Sequence, residues 1–281
     1  MDHLRAEIQA TGFPLEIEIS SILDKDWLVY NNDPFVDLDE GKSREIDIYA
    51  IHESSFYEEE ETLKRTDIFP ITSAMVVECK KSSSHAWVFF TRPQPIDWEY
   101  GPPNGHTVDF LQALTGGKQS FLSQVPLPRI HYDKVRRIAY NFVEAKLSKQ
   151  VRGEDRAIFE AVNQLWKCLT YNAGRYRQGF SRNRGMPLLV QFPVIVLDGQ
   201  LYEAVGPTER IRLLRRKHVV LSLTRRSKNL DEDLEFVIDV VTKPFFRDFT
   251  QLIKRDIGTL HRHFQDKRLV TKADSLVENL S

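Results

Sequence analysis

The chain has 281 residues, 41% of them hydrophobic and 11% aromatic, enough to build a sizeable core. Its 39 basic and 40 acidic residues nearly cancel, to a formal net charge of -1, which excludes a strongly basic protein that coats nucleic acid without regard to sequence. No apolar run approaches the ~20 residues of a membrane span, and the start, M-D-H-L-R-A-E-I-Q, has neither a signal-peptide core nor an Arg/Ser-rich transit pattern, so a cytoplasmic protein is expected.

Gly12, Phe13 and Pro14 end a short lead-in, and Pro14 suits the first turn of the helix that follows. Leu15, Ile19, Ile22 and Leu23 fall at helical spacing, with Glu16 bordering that stripe near its start. W-L-V-Y-N-N-D-P-F-V-D reads as a first strand with Asn31, Asn32, Asp33 and Pro34 as a bend, and D-L-D-E-G-K-S as a hairpin turn. In R-E-I-D-I-Y-A-I, Ile46, Ile48 and Ala50 alternate with Asp47 and Tyr49, the pattern of a half-buried strand. A polar interval containing the four acids Glu58, Glu59, Glu60 and Glu61 reads as a solvated loop. S-A-M-V-V-E-C-K-K is the next strand, and H-A-W-V-F-F continues it or adds another, with Trp87 read as core.

Side chains two apart on a strand share a face, so Glu78 and Lys80 point one way and Cys79 the other. Pairing of the two strands brings Asp47 to that face, giving two carboxylates and an ammonium within a few ångströms. Partly buried like charges raise each other's pKa, and desolvation disfavours ions, so the trio calls for a divalent cation. Mg²⁺ takes one or two carboxylates at about 2.0–2.1 Å and fills its shell with water and phosphate oxygens. Asp47 and Glu78 supply that number. Lys80 then orients or deprotonates a water, or neutralises charge on a phosphate. The chemistry this predicts is hydrolysis of a nucleic-acid backbone.

These residues resemble the PD-(D/E)XK, or restriction-endonuclease-like, nuclease superfamily, whose signature is a strand Asp followed by a strand E-x-K; Ile46 stands where the motif has its Pro. The order helix Glu, strand, strand Asp, strand E-x-K, helix is most similar to the branch with archaeal Holliday junction resolvases and Mrr-type restriction enzymes, over residues 12–90. The resemblance implies an α/β fold with a restriction-endonuclease-like core, a mixed central β-sheet flanked by helices, in one domain spanning 1–281. It implies a Mg²⁺- or Mn²⁺-dependent endonuclease acting on DNA, with Glu16, Asp47, Glu78 and Lys80 catalytic. Asp47 and Glu78 would hold the metal, with Glu16 joining them through water or a second ion (Glu18 being the alternative), and the backbone carbonyl of Cys79 would add a ligand. Members often dimerise to cut both strands, so a homodimer is among the expected partners. The other readings are a catalytically silent nuclease fold that binds nucleic acid or assembles with partners, and an enzyme on RNA. A second E-x-K, Glu144 and Lys146, lacks the preceding β-branched run and the upstream strand Asp.

Residues 91–150 hold a Pro/Gly-rich stretch and a Gly116-Gly117 break, and read as an insertion after the E-x-K strand. Within them, 132–149 has helical apolar spacing, with a strand over I-A-Y-N-F-V as the alternative. A clearer helix starts near Asp155, with Ile158, Val162, Leu165, Trp166 and Leu169 on one face and Gln164 as a neighbour of the site. In the loop G-R-Y-R-Q-G-F-S-R-N-R-G, Arg175, Arg177, Arg182 and Arg184 are interleaved with Tyr176 and Phe180, which suits phosphate and base contacts. Arg212, Arg215, Arg216 and Lys217, then Arg225, Arg226 and Lys228, form a second basic region. The Asp198-Gly199 dipeptide predicts a hairpin between P-L-L-V-Q-F-P-V-I-V-L-D and L-Y-E-A-V. H-V-V-L-S-L and L-E-F-V-I-D-V-V-T are strands, followed by a helix over 246–264 with Phe249, Leu252, Ile253, Ile257 and Leu260 inward, and a loose polar tail. Cys79 and Cys168 lie in separate apolar segments and read as reduced core residues. With no P-loop and no G-x-G-x-x-G, a nucleotide cofactor is not expected.

Overall fold

The computed structural model describes residues 2–23, 25–52, 71–94, 106–115, 118–149, 156–178, 188–226 and 233–278. Helices α1 (Asp2–Ala10) and α2 (Phe13–Leu23) lead in, and α2 buries Leu15, Ile19 and Leu23 as its spacing requires. Strands β1 (Trp27–Asp37) and β2 (Lys42–His52) form the expected antiparallel hairpin, closed at Asp37↔Lys42. Gly41 adopts φ 68°, the left-handed conformation that lets the chain reverse. Asp37, fully buried beneath the turn, accepts hydrogen bonds from the N–H groups of Asp39 and Glu40 and from Arg44 Nε at 2.8 Å. Burial alone would raise its pKa, but those bonds and the Lys167 ammonium bring it down to about 2. The bend expected at Asn31–Pro34 is instead a local kink at Asn32, φ 51°, within one continuous strand.

The longest strand, β3 (Ile71–Pro93), carries the E-x-K residues in its first half and H-A-W-V-F-F in its second. After β4 (Thr107–Asp109), α3 (Phe110–Thr115), β5 (Arg137–Lys146) and α4 (Ala157–Gln178) comes β6 (Leu188–Val205), which runs parallel to β3 almost end to end. The hairpin expected at Asp198-Gly199 is therefore not formed. β3 offers a partner along both halves of β6, and β6 is buried from Leu188 to Leu197, so continuing straight satisfies more backbone and apolar surface than turning back. The glycine serves close approach: a Cβ on Gly199 would lie 2.7 Å from the Ser82 carbonyl, where β3 bulges between Ser82 and Ala86.

β7 (Arg212–Arg215), β8 (His218–Arg226) and β9 (Asp233–Thr242) complete a mixed sheet of nine strands among the described residues. Pairing passes from β3 to β5, β8, β9 and β6, and β6 returns to β3, so these five strands make a closed circuit, with the β1–β2 hairpin extending it beside the first half of β3. Within the stretch read as an insertion, residues 137–146 thus belong to the sheet itself, and the helix preferred for 132–149 gives way to a strand. Val88↔Val143 and Phe89↔Phe142 pair across that edge, and a free sheet edge with matching apolar side chains outweighs a weak helical spacing.

Helices cover both faces. α4 packs Ile158, Val162, Leu165, Trp166 and Leu169 on Trp87, Phe89, Leu221 and Phe236. α2, α5 (Phe246–Phe264) and α6 (Lys267–Glu278) close the other face over Ile48, Val77, Val194 and Val241. α5 turns Phe249, Ile253, Ile257 and Leu260 inward as expected. The tail expected to be loose is helix α6, fastened by buried Ala273 and the partly buried Leu269, Val270 and Leu276. Among the described residues no helix is long and apolar enough to cross a membrane.

Candidate metal and phosphodiester site

β2 and β3 pair from Ile51↔Ala74 to Ile48↔Val77 and then part, at the step that would set Asp47 against Glu78. Side chains take over the ladder. The Cys79 N–H donates to Asp47 Oδ2 at 2.7 Å, and the Asp47 N–H hydrogen-bonds the Glu78 carboxylate. On the outer side the β1 ladder kinks at the same level, where Asn32 lies between the pairs Asn31↔Ile48 and Asp33↔Ile46. Glu78 is 2% exposed, and Lys80, on its face two residues on, places Nζ 2.7 Å from Glu78 Oε2.

Burial first, and the facing Asp47 second, push the Glu78 carboxyl up to about 8 against the pull of Lys80. Burial also raises Asp47, in spite of the Cys79 N–H and Lys80. Burial disfavours charge on Lys80, but Glu78 and Asp47 outweigh it and hold the ammonium above its ordinary range. Glu16, half-buried in the first turn of α2, is raised by burial and then by Asp47, and lowered by Lys80. It feels the pair without joining it: among the described residues no three His, Cys, Asp or Glu side chains gather closely enough to hold a metal. Glu18, the other helix acid, is engaged by Lys243 at 2.7 Å. Cys79 turns its thiol into the opposite core layer, and burial raises it well above the ordinary thiol range.

The donors present fit a hard divalent cation. Asp47 and Glu78 flank one ammonium, a bound cation would favour the ionised form of the raised Glu78 carboxyl, and the pair is the number of carboxylates that Mg²⁺ ordinarily takes. Such an ion does not need a closed protein cage, and among the described residues none is formed. The second E-x-K is otherwise engaged: Glu144 Oε1 accepts the Ile158 N–H at 2.7 Å and satisfies an open donor in the first turn of α4.

Gln164 donates to the backbone carbonyl of Glu45 on β2 and so steadies the strand that carries Asp47 instead of reaching the carboxylates. Arg175 and Arg177 lie on the last turn of α4, not in a loop. Arg175 is exposed, stands 5.7 Å over the Tyr171 ring and pulls on the raised carboxyl of Asp33, the β1 residue paired to Ile46. Asp33 was hidden in the sequence by its turn-like neighbours. Arg182, Arg184 and the Glu58–Glu61 run lie outside the described residues. No family model, curated protein or solved structure matches the chain.

Proposed function

We propose that the protein is a metal-dependent endonuclease with a restriction-endonuclease-like core that hydrolyses phosphodiester bonds, DNA being the substrate class. The observation that carries this reading is the meeting of Asp47 with the Glu78–Lys80 pair where the β2–β3 ladder opens, behind a helix that carries Glu16. A charge cluster of this kind is costly to bury and has no packing role, so a cation and an anionic substrate give it a physical reason. Asp47 and Glu78 hold the cation. Mg²⁺ or Mn²⁺, when bound, supplies a water of lowered pKa and neutralises phosphate charge. Lys80, 26% exposed at its side chain, presents an ammonium to the phosphate oxygens and the attacking water. Glu16 orients outer waters, and Arg175 meets the substrate backbone beside the site.

The test is incubation of supercoiled plasmid, linear duplex, single-stranded DNA and RNA with the purified protein in Mg²⁺, Mn²⁺ or EDTA. Wild type is expected to cut only with metal. Lys80→Ala should lose activity by about 10²–10⁴-fold, the span of one positioned catalytic side chain. Asp47→Asn should lose it while keeping an acceptor for the Cys79 N–H and hence the fold. Equal cleavage by wild type and Asp47→Asn, in preparations free of contaminating nuclease, would sink this reading.

A further inference from the structure

A cleft of about 260 Å³ opens away from the carboxylate–lysine centre, between β6, β8 and the start of β5. Along β6, Glu203 on its wall lies six residues beyond Leu197, the partner of Lys80, which is about 20 Å of strand. Arg136, Arg137 and Arg216 rim the cleft, His218 lines it, and Val135 and Val220, which shares the His218 face of β8, add apolar lining.

The arginines do not behave as scattered surface charges. Glu203, 5% exposed, accepts Arg137 Nε at 2.9 Å on one oxygen and Arg216 Nε at 2.6 Å on the other, so a buried carboxylate aims both guanidinium groups. That one anion answers three cations. Arg136 is exposed and makes no side-chain hydrogen bond or ion pair among the described residues, and Arg216 is 43% exposed.

The inner wall is as firmly built. His218 Nε2 meets Asp239 Oδ1 at 2.7 Å, and Asp239 also accepts the Tyr132 hydroxyl at 2.9 Å and faces His131 Nε2 at 3.1 Å. His131 in turn contacts Asp256. These groups are buried, so the His218 ring is fixed with Nδ1 as its remaining polar atom.

Oriented guanidinium groups, an imidazole and apolar lining form a recess for an oxyanion with an attached organic group. The volume lies at the small end of ligand pockets, enough for a phosphate and a sugar-sized remainder. We propose that this cleft binds a phosphate monoester, the phosphate seated between Arg136 and Arg216 against His218, with Val135 and Val220 beside the attached group. The ester comes either from a free mononucleotide or from the phosphorylated end of a nucleic-acid strand. The site stands apart from the proposed nuclease chemistry and survives if that reading fails.

Titration calorimetry on the full chain tests it, with inorganic phosphate, a nucleoside 5′-monophosphate, and one short single strand carrying a 5′-phosphate or a 5′-hydroxyl. Wild type is expected to bind the phosphate probes saturably. Arg136→Glu, at an exposed position the fold does not use, should weaken that binding by at least about tenfold, the size of one charge-assisted hydrogen bond. Lys80→Ala should leave it within about twofold, as two separate sites require. No saturable binding, equal binding by Arg136→Glu, or a loss that follows Lys80 overturns the proposal. Tighter binding of the 5′-phosphorylated strand than of the mononucleotide assigns the nucleic-acid end as the source, and the reverse order assigns the free nucleotide.

Discussion

Asp47, Glu78 and Lys80 owe their chemistry to backbone groups as much as to one another. Asp47 holds the Cys79 N–H and Glu78 holds the Asp47 N–H, so each carboxylate is fixed by the strand opposite its own. The other buried charge cluster, His131 between Asp239 and Asp256, is tied to stability. Burial disfavours the imidazolium, but the two carboxylates prevail and raise His131 from 6.5 to about 9, while Asp239 is held well below its ordinary range. A raised histidine stabilises fully below pH 6.5, and the contribution is lost as pH climbs through about 9; the depressed Asp239 loses its share only in strong acid. His131→Gln is therefore expected to cost about 3–5 kcal/mol at pH 6, the penalty for leaving a buried charge without its partner. By pH 9.5 the gap to wild type should narrow by on the order of 3 kcal/mol. Urea denaturation of both proteins at the two pH values measures this, and a gap that ignores pH would show that His131 carries no charge.

At the scale of elements, the β3–β6 pair sets where the candidate site lies. Its two long strands run in register until Ser82 meets Gly199, two residues past Lys80, and resume at Ala86 and Gln200. A methyl group at Gly199 would press on the Ser82 carbonyl at 2.7 Å and on Leu197 Cδ1 at 3.1 Å. Gly199→Ala should cost about 1–3 kcal/mol, as other overpacked sites do, and shift the end of the strand that presents Lys80. A melting temperature equal to wild type would mean that the bulge has room to spare. α4 is likewise tied down at both ends. Glu144 holds the Ile158 N–H near its start, and Asn172 and the Leu169 carbonyl both bond the side chain of Gln191 on β6 near its finish.

Across the whole molecule the two apolar layers meet the sheet on opposite faces, and the burial they impose is what raises the Asp47 and Glu78 carboxyls on which the proposed cation site rests. An ion that binds only the folded chain raises stability by mass action, by about 2.7 kcal/mol at a hundredfold excess over its Kd. For a chain of this size that is a rise in Tm of roughly 4–5 °C. Mg²⁺ should produce such a rise in wild type, read by calorimetry, and little in Asp47→Asn. An equal rise in both proteins would place the ion elsewhere.

Local pattern alone determined much of this architecture. Apolar periodicity marked α2, the buried face of α4 and the inward residues of α5, period-two alternation marked β2, and a β-branched, apolar run marked the E-x-K strand, because those signals are local to the chain. The alternation also sufficed to put Glu78 and Lys80 on one face and to single out Asp47 on its own strand. What only the tertiary structure decided were choices between partners. Asp198-Gly199 stayed straight because β3 lay alongside, residues 137–146 became a strand because a sheet edge was open, and α6 became a helix because α5 and its neighbours offered an apolar groove. The engagement of Gln164 with Glu45, 119 positions away, and of Glu144 with α4, and the union of Glu203, Arg136, Arg216 and His218 around one cleft, join residues of separate elements. Sequence spacing carries no information on such distances; the order in which strands pair creates them.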